Sequence, residues 1–204
     1  MLKRGVKMKK ENLKEIKELL LVVDMVNGFV REGAMKSQNI EHIIPEIENT
    51  VKNFTYGVDK LVSFIKDCHV KNSREFERFP KHCLEGTNES ELVDELKKYE
   101  NMALVFNKNS TSAVFAPEFL NTIDEMKSLK DIYIVGCCTD ICVINLAIPL
   151  QNYFDENNRD VSISVLKDQV ETYDSSNHKA KEWNKMSFKF MEASGIKILK
   201  KYRE

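Results

Sequence analysis

The chain has 204 residues, of which 42% are hydrophobic and 31% charged, and its net charge is −1. That is enough for one α/β domain with a sizeable core, and it excludes a disordered chain, a basic nucleic-acid binder and a membrane surface protein. Five cysteines without a repeating frame exclude a secreted disulfide scaffold and point to a reduced, cytoplasmic compartment.

Residues 1–18, rich in Lys and Glu, read as an exposed arm or helix ahead of a single domain over 19–204. Leu19 to Val23 is a continuous apolar run, the pattern of a central parallel strand buried on both faces. It is too short to span a membrane, and no signal-peptide cleavage pattern follows. Asp24 ends it, where open α/β sheets place function. Residues 25–36 read as a loop containing Phe29. Helical periodicity then runs from Ile40 to Phe54, with Pro45 in the first turn of a new helix. Leu61 to Ile65 is a second strand, followed by Asp67 and His69. Residues 70–90 form a long polar loop carrying Glu75, Phe79 and His82, and such loops are usually functional. Glu91 to Glu100 reads as a short helix or turn.

Met102 to Phe106 reads as a third strand, with Lys108 just past its end. A helix after Phe115 and Phe119 runs to about Ser128. Ile132 to Val135 is a fourth strand that Gly136 ends. Thr139 and Asp140 open a helix with Cys142 in its first turn, and Pro149 should kink or break that helix. A thiol at that place has its pKa lowered by unpaired N–H groups and the macrodipole. Taken alone, Cys142 could equally be a small buried hydrophobe. Val161 to Leu166 and Ile196 to Leu199 are the last strands, around a helix that Gly195 caps. Strands alternating with helices predict a doubly wound three-layer α/β/α domain on a mostly parallel sheet. No G-x-G-x-x-G and no P-loop is present.

Parallel strands end on one edge, so Asp24, Lys108 and Cys142 can converge there. An ammonium stabilises a thiolate, and a carboxylate takes the thiol proton and returns it to a leaving group. Asp67, His69, Glu75 and His82 form a second group on that edge. A carboxylate with two imidazoles suits Zn²⁺, Fe²⁺ or Mn²⁺, while loop His and Glu are also common as plain solvated residues.

Four blocks in order, LLLVVDMVNGFV, KDCHV with EFERFPKHCLEGT, FNKNSTSAVF and GCCTDICVINLA, resemble the isochorismatase-like cysteine hydrolases, and within them the nicotinamidase branch. The resemblance implies a six-stranded parallel sheet, Asp24 as acid/base, Lys108 beside it and Cys142 as nucleophile. It implies a cis peptide between Cys137 and Cys138, with the N–H groups of Cys138 and Cys142 as an oxyanion hole. It implies one divalent metal, zinc first, on Asp67, His69 and His82 with Glu75 added. That metal would hold a pyridine nitrogen, between aromatic walls at Phe29, Phe79 and Phe115. The implied activity is hydrolysis of nicotinamide to nicotinate and ammonia by a homo-oligomer acting on a small amide, without nucleic acid or membrane. Val26 and Gly28 depart from the common nicotinamidase block, Phe79 stands where Trp is frequent, and Lys81 replaces a second Pro after Pro80. The alternatives are another small amide, an isochorismatase-type substrate, and a non-catalytic thiol sensor built on Cys137–Cys138.

Overall fold

In the computed structural model, which describes residues 13–203, the apolar run after residue 18 is the centre of the sheet. In chain order the elements are β1 (Glu18–Val23), α1 (Asn27–Val30), α2 (Gln38–Glu41), α3 (Ile44–Thr55) and β2 (Lys60–Asp67). They continue with α4 (Asp94–Lys97), β3 (Leu104–Lys108), α5 (Phe119–Glu125), β4 (Asp131–Cys137) and α6 (Ile144–Glu156). β5 (Ser162–Glu171), α7 (Ala180–Ala193) and β6 (Lys197–Leu199) complete the chain. The six strands are all parallel, in the order β3-β2-β1-β4-β5-β6. This is the predicted doubly wound α/β architecture. No described helix is long and apolar enough to cross a membrane.

Alternation along β1 divides the core into two layers. Leu19, Leu21 and Val23 pack with Phe119 and Ile123 of α5, with Leu146, Ala147, Leu150 and Phe154 of α6, and with Met191 of α7. Leu20 and Val22 face Ile44, Ile47, Val51 and Phe54 of α3, together with Leu96 of α4. Leu19 to Val23 are each fully buried, which explains why the run shows no polar alternation.

Several local expectations change. The predicted exposed arm falls largely on residues 1–12, outside the described residues. Within 13–18, Leu13 and Ile16 are buried in the α5 layer, because both are apolar and meet a core face. The loop after Asp24 contains the short helix α1, and the 70–90 loop contains 3₁₀ turns at Arg74–Glu77 and Asn88–Ser90. Gly136 lies inside β4 rather than at its end. It adopts φ +111°, and a Cβ there would stand 2.0 Å from the Val23 carbonyl oxygen. The absent side chain lets the ends of β1 and β4 close on each other. Gly136→Ala is therefore expected to destabilise the domain by about 3 kcal/mol or more, read from urea unfolding.

α6 runs unbroken through Pro149. The proline has no N–H for the carbonyl of Asn145, one turn back. The Ser112 hydroxyl donates to that oxygen at 2.5 Å, so no acceptor is left open. Pro45 does sit in the first turn of α3, and Gly195 follows α7 with φ +86°.

Candidate active site

β1, β2, β3 and β4 deliver one group each to the carboxyl edge of the sheet. Asp24 follows β1 in the left-handed region, φ +53°, a conformation that Asp tolerates better than most residues. Its N–H donates to the Ile65 carbonyl, and its Oδ1 accepts from the Asp67 N–H at 2.8 Å. Lys108 ends β3 with its side chain wholly inside the protein. Its Nζ is 2.8 Å from Asp24 Oδ2, donates to Asp67 Oδ1, and lies 3.6 Å from Cys142 Sγ. The residues that the sequence places at three strand ends are thus one cluster, and Asp67 is a fourth member. The Asp-x-His spacing gave no hint of that second engagement.

Burial and the Asp67 charge push the Asp24 carboxyl up to about 6, against the pull of Lys108. Asp67 is equally buried, but Lys108 and the two imidazoles outweigh desolvation and hold its carboxyl well below the usual range. Burial favours a neutral amine at Lys108; the Asp24 and Asp67 charges outweigh it and raise the pKa, keeping the ammonium. Cys142 differs from the sequence expectation. It stands in a π-helical turn, Thr139–Val143, ahead of α6 rather than in an α-helix's first turn. Burial pushes its thiol well up, with Lys108 pulling the other way. The resting group is a thiol within 4.8 Å of the Asp24 carboxylate, whose pKa burial raises toward that of a base.

The second group assembles under the loop. Single donor atoms of Asp67, His69 and His82 all lie within 4.8 Å of one another, and all three residues are buried. The imidazole Nε2 atoms are 3.2 Å apart, and each is 3.5 Å from Asp67 Oδ2. His82 Nδ1 faces the Pro80 carbonyl at 2.7 Å, and His69 Nδ1 faces Asn109 Oδ1 at 3.3 Å. Protons on the Nδ1 atoms satisfy those acceptors and turn two lone pairs and a carboxylate inward. Such a donor set fits a divalent cation. His82 reports the same pull: burial opposes its protonation, yet the bonds to Asp67 and Pro80 raise its pKa. Glu75 is at the rim, with Oε2 3.3 Å from His69 Nε2 and Oε1 held by the Thr111 N–H at 2.8 Å. It is not part of the mutually close trio.

A small chamber of about 20 Å³ joins the two groups, lined by Asp67, Glu75, His82, Cys138 and Cys142. Phe29, Met35, Phe79 and Cys138 line both it and an outer cleft of about 560 Å³. Phe29 and Phe79 flank His82, with ring centroids 5.5 and 6.4 Å away. Phe115 does not join them. It is 79% exposed, because the 3₁₀ turn Ala113–Phe115 buries Ala113 and Val114 and turns the ring out. Met35, Thr111 and Ile141 line the chamber instead; Met35 lies outside the four blocks, and Thr111 and Ile141 lie within two of them with no role assigned there. The Cys137–Cys138 peptide is cis, and Cys137 Sγ contacts the Asp24 carbonyl at 3.3 Å.

Comparison with known proteins identifies the fold and the family. The chain is 32% identical over 141 residues to Nicotinamidase 1 of Arabidopsis thaliana, covering 62% of this chain and 57% of that protein. The chain thus spans less than two thirds of that relative's length. It is 27% identical over 173 residues to the uncharacterized isochorismatase family protein PncA of Bacillus subtilis, covering 80% and 91%. Among solved structures, N-carbamoylsarcosine amidase from Thermoplasma acidophilum superposes with a TM-score of 0.75 at 21% identity, covering 93% of this chain and 98% of that one. Pyrazinamidase of Pyrococcus horikoshii in complex with zinc gives a TM-score of 0.70 at 22% identity, covering 91% and 99%. Residues 18–197 match the model of the Isochorismatase domain, and the chain belongs to that family of hydrolases.

Proposed function

We propose that the protein is a metal-dependent cysteine amidohydrolase that converts nicotinamide to nicotinate and ammonia. One observation carries this reading: a fully buried Lys108 ammonium touches two carboxylates and the Cys142 thiol at the wall of a small chamber. Asp24 takes the thiol proton, and the Cys142 sulfur attacks the amide carbon, with the thiolate facing Lys108 as it forms. The N–H groups of Cys138 and Cys142 receive the oxyanion. Collapse breaks the C–N bond, Asp24 gives its proton to the leaving ammonia, and a thioester remains. Asp24 then takes a proton from water, the hydroxyl adds to the thioester carbon, and the C–S bond breaks to release nicotinate. A flat ring lies between Phe29 and Phe79. The resting chamber has room for about one water, so Met35 and Phe79 move outward to admit it.

Asp67, His69 and His82, with Glu75 alongside, would hold the metal, and zinc, iron and manganese all suit these donors. When bound it supplies a Lewis-acid anchor for a ring nitrogen. The zinc-complexed pyrazinamidase structure supports the choice of zinc. The test is ammonia release from nicotinamide before and after treatment with a chelator. Chelation is expected to raise KM at least about tenfold, and re-addition of Zn²⁺ to restore it. Full activity with all divalent ions removed would count against the substrate as well as the metal. Ammonia release from other small amides but not from nicotinamide would move the reading to another substrate of the same family.

A further inference from the structure

His178 lies in the turn between β5 and α7, outside every group described so far. Its ring is held in the plane and across it. Nε2 is 2.8 Å from Asp140 Oδ2, and Nδ1 is 2.8 Å from the Tyr173 carbonyl oxygen. Tyr173 stacks on it at 4.0 Å and 7°, and Trp183 of α7 stacks at 4.8 Å and 9°. Two hydrogen bonds and two stacked rings together leave the imidazole a single orientation.

Asp140 belongs to the π turn Thr139–Val143, two positions before Cys142. Its Oδ1 is buried, with no hydrogen-bond partner among the described residues. The carboxylate is therefore held through Oδ2, by His178. π-helical turns are rare and need outside support, since their hydrogen bonds alone do not favour them over α-helix. α7 packs against this turn, and the His178–Asp140 hydrogen bond ties the segment leading into α7 to it at one point.

We propose that His178 is a positioning residue for the nucleophile. Through Asp140 it clamps the π turn that presents Cys142 to Lys108, so the sulfur keeps its place beside the ammonium. Tyr173 and Trp183 hold the imidazole in plane. The proposal rests on the reading of Cys142 as nucleophile. It assigns no contact between His178 and the substrate.

The test uses full-length His178→Ala, Asp140→Ala, the double variant and Asp140→Asn. His178→Ala is expected to lower kcat by between about tenfold and 100-fold, the cost of misplacing a reacting atom by a fraction of an ångström to one ångström. KM should stay within about twofold, because Phe29, Phe79 and His82 are on other elements. The double variant should be no slower than the worse single variant, as two residues acting through one bond require. Asp140→Asn keeps an oxygen facing Nε2 and should retain most of kcat. A second readout needs no substrate: the rate at which iodoacetamide alkylates Cys142, followed by peptide mass mapping, should change in the same order. A lower Tm with unchanged kcat and alkylation rate would overturn the proposal, and so would additive losses in the double variant. Where His178→Ala does not fold, Asp140→Ala against Asp140→Asn decides: a slow first and near-normal second support the clamp, and equal rates overturn it. A wild type that alkylates at Cys142 yet releases no ammonia from nicotinamide would defeat the substrate reading alone, leaving the clamp to be judged by the alkylation order.

Discussion

Replacing Cys142 by alanine is expected to lower turnover of nicotinamide, the proposed substrate, by on the order of 10⁴-fold or more, because Cys142 is the thiol that contacts the Lys108 ammonium. The fold should survive. The thiol is a small buried group, and its loss removes little apolar area; the ionic cluster of Lys108 with Asp24 and Asp67 remains complete. Unfolding free energy should change by about 1 kcal/mol. Ammonia release and urea denaturation on the same preparation separate the two effects. Cys138 also lines the chamber, so it is the other thiol that could attack. Residual turnover within about tenfold of wild type would remove Cys142 from the mechanism, and its abolition by Cys138→Ser would transfer the role.

Lys108→Met should abolish turnover and also destabilise the protein, by about 3–5 kcal/mol near neutral pH. The two carboxylates it serves are fully buried, and burial already pushes the Asp24 carboxyl up to about 6 with the lysine present. Without the ammonium, two like charges share one dry site, and at least one must take a proton. The sign of the pH dependence follows. In the parent chain the depressed Asp67 contributes stability above its unfolded pKa, and that contribution is lost as pH falls through its folded pKa. In the variant the carboxyl pKa values rise, so stability is present at low pH and lost as pH rises. The Tm difference between parent and variant should therefore widen from pH 5 to pH 8. A deficit that is constant with pH would mean the methionine is accommodated by packing and the charges are not the issue.

The parts of the site that a strand end or a dense motif announces were legible in the sequence. Asp24 follows five apolar residues that leave no alternative to a central strand, and GCCTDICV fixes a strand, a turn and a thiol in eight positions. His69 and His82 meet because His69 pairs with Leu84 as an isolated parallel bridge, which returns the loop to its start. What escaped depends on contacts between distant segments. Pro149 does not break α6 because the Ser112 hydroxyl, 33 residues before Asn145, completes the Asn145 carbonyl that the proline leaves open. The place of Phe115 in its block implies a pocket wall, yet a 3₁₀ turn alters side-chain direction in a way that block spacing cannot express. The helix-terminus argument for an acidic thiol weighs local dipoles alone, whereas burial of Cys142 outweighs them and pushes its pKa up.

The arrangement of Lys108 among its partners has a consequence for how the molecule assembles. Its bond to Asp67 closes over 41 residues of chain and its contact with Cys142 over 34, and the groups come from four neighbouring strands in the order β3-β2-β1-β4. None of these charges gains by leaving water until its counterpart has arrived. Four parallel strands must therefore be in register before the cluster can close, and parallel pairing is the slow, non-local part of folding. A chain with its helices formed but this edge unfinished would hold most of its secondary structure and none of its chemistry. The candidate site is thus complete only when those four strands are paired.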